Sequence, residues 1–75
     1  MRQVERELVQ PGWEVWTSDG EMLGKITRIE GPTLTVKKEG ILGGEAFVPR
    51  DSIREVEEGR VEITLSREEA MAAGR

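Results

Sequence analysis

The chain has 75 residues, fifteen acidic and eleven basic side chains, a formal net charge of −4, and neither cysteine nor histidine. A chain this short makes one domain that hides roughly 60% of its unfolded surface on folding, so its core is thin. Without Cys or His it has no disulfide, no thiolate or imidazole metal site and no neutral-pH proton shuttle, and its acidic balance excludes bulk nucleic-acid binding.

The charges are interspersed rather than blocked, which describes a solvated surface. No apolar run reaches the roughly 20 residues of a membrane-spanning helix, and no signal-peptide pattern opens the chain. The expected location is therefore cytoplasmic. Asn and Tyr are also absent, and 35% of the residues are charged. A heat-adapted source and a GC-rich genome both produce that bias, and composition does not choose between them.

Residues 1–10 form a lead-in with apolar Val4, Leu8 and Val9, a spacing that suits one helical turn or an extended segment. Pro11-Gly12 breaks the chain, and residues 11–75 are expected to form the single domain. Residues 13–17 alternate, with Trp13 and Val15 on one face and Glu14 and Trp16 on the other, which predicts a strand. Ser18-Asp19-Gly20-Glu21 is a turn. A second strand follows over residues 22–30, in which Ile26 and Ile29 are three apart and would face opposite sides of a regular strand. A β-bulge between them returns both to the core, and small barrels need such kinks to curl.

Gly31-Pro32 leads into a third strand over residues 33–38, with Leu34 and Val36 inward. Proline is disfavoured as the second central residue of a two-residue hairpin, so the loop is expected to centre on Pro32-Thr33 or to be wider. Residues 39–44 make a glycine-rich loop with Ile41 and Leu42 at its tip. A short strand over 45–48 ends at Pro49, which cannot donate a ladder hydrogen bond. Residues 50–53 read as a tight or 3₁₀ turn, 53–57 as a strand, and 60–65 as the cleanest alternation, with Val61, Ile63 and Leu65 inward. Ser66-Arg67-Glu68-Glu69 matches a capping box and predicts a helix over about 67–73. The expected fold is mostly β: a small barrel of five to six short antiparallel strands with a short C-terminal helix.

The run Asp19-Gly20-Glu21-Met22-Leu23-Gly24-Lys25-Ile26 resembles the signature of the PRC-barrel superfamily, an SH3-like barrel class. So does its sequel, Phe47-Val48-Pro49 followed by Ile53, Val56, Gly59, Arg60-Val61 and Leu65. Pro11 to Val15 and Ser66 to Ala70 also resemble a compact stand-alone bacterial branch of that superfamily with no assigned function. The resemblance covers about residues 8–71. It implies a barrel doing adaptor or assembly work, and it brings no active site, because every matched residue is a fold residue. Gly20 fills a positive-φ turn position, and Gly24 marks a kink or a close backbone approach.

No residue constellation encodes a reaction. Ser18, Ser52 and Ser66 have no histidine to act as base and read as turn and cap residues. The pairs Glu57-Glu58 and Glu68-Glu69 are adjacent in sequence and diverge rather than converge on a water. No catalytic residue, cofactor or metal is expected, and the chain is read as a non-enzyme. Two binding readings remain. If Val15 and Val48 fill the barrel, Trp16 and Phe47 project outward. With Ile41 and Leu42 they would then make an apolar patch covered by a second copy or another protein, unless the chain folds over them. This favours a protein-interaction or assembly module that self-associates as a homodimer or higher homo-oligomer. The alternative is an RNA- or ribosome-associated maturation factor using Lys25, Arg28, Lys37 and Lys38, which fall on one hairpin and form the basic cluster of the chain. No aromatic residues are interleaved with these bases, and a solvated mixed-charge face is the default reading of them.

Overall fold

A computed structural model describes residues 9–40 and 43–72. Ile41 and Leu42, the lead-in's Val4 and Leu8, and the last residue of the expected helix lie outside the described residues.

The chain builds strands β1 (Glu14–Trp16), β2 (Met22–Glu30), β3 (Thr33–Lys38) and β4 (Glu45–Pro49), a 3₁₀ turn (Arg50–Ser52), β5 (Ile53–Glu57), β6 (Arg60–Ile63) and helix α1 (Arg67–Ala72). The six strands form one curled sheet in the order β4-β3-β2-β1-β6-β5. Its shape is a half-barrel with β4 and β5 at the two edges. The 3₁₀ turn joins those edges, and α1 packs against β4. Neighbouring strands pair antiparallel except β1 and β6, which run parallel. The expectation of an all-antiparallel barrel is corrected there. β1 opens the domain and β6 returns to it after four intervening strands, so no hairpin fixes their direction.

Alternation dictates the core. Val15, Leu23, Ile26, Leu34, Val36, Val48, Ile53, Val61 and Ile63 are all buried in one cluster, as the sequence pattern predicts. Leu65 lies just past β6 and is only part-buried. Val9, Ala46 and Ala70 join the cluster, so the end of the lead-in belongs to the barrel rather than preceding it. Small alanines on β4 and α1 let the helix sit close over the sheet, and part-buried Met71 packs there too.

The bulge in β2 falls where the two isoleucines require it. Opposite β3, Ile26 pairs with Val36 and Arg28 with Thr35, leaving Thr27 as the extra residue. Ile29 is thereby turned back against the core. The Gly31-Pro32 turn is tighter than the sequence predicts, because Thr33 already pairs with Glu30. Gly31 takes a positive φ of 58°, which leaves Pro32 a negative-φ position that its ring satisfies. At Gly24, β3 crosses so closely that a Cβ would collide with the Lys37 carbonyl and lie 2.9 Å from Lys38 Cα. That glycine is the condition for β2 and β3 to meet at this end of the hairpin.

The C-terminal helix starts as its sequence predicts. Ser66 Oγ accepts the Glu69 N–H at 3.1 Å, and Glu69 Oε1 accepts the Ser66 N–H at 2.9 Å.

Candidate functional site

The outward face of the sheet holds the candidate residues, because the inward face is spent on the core. Strand register lines six charged side chains into one row across it: Glu45 on β4, Lys37 on β3, Lys25 on β2, Glu14 on β1, Arg60 on β6 and Glu57 on β5. Read across the strands, the signs run minus, plus, plus, minus, plus, minus. Opposite charges directly across a sheet attract and like charges repel, so the Lys25–Lys37 step is the one unfavourable pairing in the row.

Trp16 and Phe47 both point outward, as alternation from Val15 and Val48 requires. They do not meet. β2 and β3 stand between them, and they lie on opposite sides of the charged row, Trp16 level with Met22 and Phe47 level with Thr35 and Arg28. Trp16 is part-buried and already partnered. Its Nε1 donates to Glu14 Oε1 at 2.9 Å, and the Arg60 guanidinium sits 4.6 Å from the ring centroid. Such a cation over a tryptophan face is worth ~0.5–1 kcal/mol where it remains exposed. Phe47 is 43% exposed and is the large hydrophobic left open among the described residues.

The basic cluster separates into two parts. Lys25 and Lys37 are cross-strand partners, and together with Lys38 they line a surface cleft of about 530 Å³. Arg28 is not part of that cleft; its Nη1 lies 3.1 Å from Glu30 Oε2.

Another polar constellation ties the first turn to the helix. Thr17, fully buried, donates its hydroxyl to Asp19 Oδ1 and accepts the Glu21 N–H at 3.2 Å. Asp19 Oδ1 also accepts the Arg67 backbone N–H at 3.2 Å, and Arg67 Nε lies 3.8 Å from Glu21 Oε1. The Thr17 hydroxyl foremost, then backbone N–H groups and the Arg67 charge, hold the Asp19 carboxyl below its ordinary value of 3.8. This is architecture: a turn carboxylate supplements the helix cap. From sequence Asp19 reads as a turn residue, because the link to Arg67 spans 48 positions. No local pattern carries it.

The serines are engaged structurally. Ser52 Oγ donates to the Pro49 carbonyl at 2.6 Å, and the Ser18 N–H donates to Leu65 O at 2.8 Å. Among the described residues no group of three or more acidic side chains converges on a point where a metal ion would sit.

A six-stranded curled half-barrel with a C-terminal helical turn defines the structural class. Residues 9–71 match the family described as uncharacterized protein conserved in bacteria (DUF2171), and the chain belongs to it. That span begins at Val9, the first core residue among the described residues, and ends on α1 beside Ala70. No curated protein matches the chain.

Proposed function

We propose that the domain is a non-enzymatic protein-interaction or assembly module that self-associates through the outer edge of β4, with Phe47 as its anchor. The observation that carries this reading is the coincidence, at one residue, of an exposed aromatic side chain and a strand edge that no described strand pairs. Lys38 N–H donates to Gly44 O and Arg50 N–H to Pro32 O, and β3 and β4 run in unbroken register between these two bonds. In an antiparallel ladder bonding residues alternate, so the even-numbered residues of β4 bond to β3. Phe47 therefore turns its own N–H and C=O away from β3, toward the edge where the sheet order ends. A strand docking there gains backbone bonds and an aromatic contact from the same position.

Glu45 and Pro49 flank this spot. A charge and an imino residue are the usual means of restricting an edge, and here they limit pairing to a short register centred on Phe47. The resemblance to the PRC-barrel superfamily, whose domains do adaptor and assembly work, points the same way. Trp16 contributes less than the sequence alone implies, since Arg60 and Glu14 already cover and bond it.

Sedimentation equilibrium tests the proposal. Wild-type protein should associate in the micromolar range, and Phe47→Glu should be monomeric there with an unchanged circular-dichroism spectrum. A wild type that stays monomeric at high micromolar concentration overturns self-association, as does a Phe47→Glu variant that associates like wild type.

A further inference from the structure

The arginines and lysines of this protein are used differently. Arg28, Arg54, Arg60 and Arg67 each lie within 4.0 Å of a glutamate oxygen, and Arg50 Nη1 donates to Gly31 O. Lys25, Lys37 and Lys38 form no ion pair among the described residues, and all of them line one cleft. Two of them, Lys25 and Lys37, are directly opposed across the β2–β3 ladder. Side chains so opposed stand about 5 Å apart at Cβ, and like charges there destabilise the pair. The close approach at Gly24 tightens the same stretch, because it presses the Lys37-Lys38 backbone onto β2. Nothing in the packing asks for lysine at either position: both side chains are exposed. A local rule broken at an exposed, glycine-tightened cleft is where a ligand is to be sought.

The flanking charges say what size of ligand fits. Along the row, Glu45 bounds Lys37 on one side and Glu14 bounds Lys25 on the other. Along the hairpin, Arg28 is offset by Glu30. Glu39 lines the cleft as well. The positive spot is thus confined to one cleft and fenced by carboxylates. An extended phosphodiester backbone would have to run over those carboxylates, whereas a compact anion would not. Three lysines against the one carboxylate of Glu39 leave the cleft net positive, which favours an anion carrying more than one charge.

We propose that the Lys25/Lys37/Lys38 cleft binds a compact, multiply charged anion of the phosphate class, with the Lys25 and Lys37 ammonium groups closing on one anionic group and Lys38 at the rim. Bound anion cancels the repulsion between the opposed lysines, so occupancy stabilises the hairpin.

The probe is inorganic pyrophosphate, titrated into the full chain at low salt and followed by amide chemical shifts and calorimetry. One-to-one binding with a Kd near ~1 mM or tighter is expected, centred on Lys25, Lys37 and Lys38. Lys25→Ala and Lys37→Ala should each weaken it about tenfold, and Arg28→Ala should leave it unchanged. Neither lysine variant should change the melting temperature of the free protein much, because the like-charge neighbour each one removes offsets the glutamate neighbour it gives up. No saturable shift at these amides up to about 20 mM pyrophosphate would overturn the proposal. So would equal weakening by Arg28→Ala, or tighter binding of a single-stranded RNA that depends on Arg28. That last result would mark an extended nucleic-acid surface instead.

Discussion

Ile63→Ala puts a number on how much of this fold rests on its core. Ile63 is fully buried, pairs with Ile53 across β5 and β6, and sits in the single core cluster. Truncation to a methyl removes roughly three methylene-sized groups at about 0.8 kcal/mol each, or some ~2.4 kcal/mol of transfer free energy. The space left behind adds a cavity cost of about 24 cal/mol per Å³, roughly 1.5–2 kcal/mol for ~60–80 Å³ that the sheet does not close. The expected loss is therefore about 4 kcal/mol, against roughly 4–11 kcal/mol of total stability for a chain of this length. Guanidinium unfolding followed by tryptophan fluorescence measures it, since Trp13 packs on the core and reports its loss. Leu65→Ala is the internal control. Leu65 is only part-buried, so its truncation should cost clearly less. A loss below ~1 kcal/mol at Ile63, or a Leu65 loss that equals it, would refute the assignment of the core.

Ser66→Ala should cost about 1 kcal/mol, because it leaves the Glu69 N–H without its acceptor; an unchanged unfolding midpoint would show that the reciprocal cap contributes nothing. Asp19→Asn should make stability less sensitive to acid. The Asp19 carboxyl is held below its ordinary value, so its contribution is complete above roughly pH 4 and is lost as pH falls through the lowered value. The gap in melting temperature between wild type and Asp19→Asn should be open at pH 6 and closed well below that window. A gap that persists unchanged into strong acid would mean that the Thr17–Asp19–Arg67 linkage does not depend on charge.

The core was legible because it rests on the two-residue period of strands. Val61, Ile63 and Leu65, or Leu34 and Val36, announce an inward face without any knowledge of neighbours. The β2 bulge was legible for the same reason in reverse, since Ile26 and Ile29 cannot both be apolar and inward without it. The capping box at Ser66 is a local contact three residues long, and local contacts can be read. What could not be read was anything set by pairing between distant strands. The parallel β1–β6 pair, the charged row through Glu14 and Arg60, and the cap from Asp19 to Arg67 all depend on which strand lies beside which. The same limit explains the candidate site. Alternation sends Trp16 outward but says nothing of Arg60, which reaches it only because β6 docks beside β1. It groups Arg28 with the lysines because they share a hairpin, while the bulge and Glu30 set Arg28 apart.

A half-barrel this small has little interior to lend to a ligand, since its inward side chains build the core. The candidate residues lie on the outward face, and most of the described part of that face is accounted for by its own neighbours. Each described arginine has a glutamate or a carbonyl beside it, and Trp16 has its cation and its acceptor. Two features are left over: Phe47 at an open edge, and two lysines facing each other. They are neighbours. Phe47 pairs with Thr35 on β3, two residues from Lys37, and Lys37 pairs with Glu45, two residues from Phe47. A second strand laid along β4 would therefore stand beside Glu45, the carboxylate that fences the lysine cleft. Drawing Glu45 toward a partner would widen the positive spot. The proposed association and the proposed anion binding would thus meet at one side chain, and coupling of that kind is reciprocal.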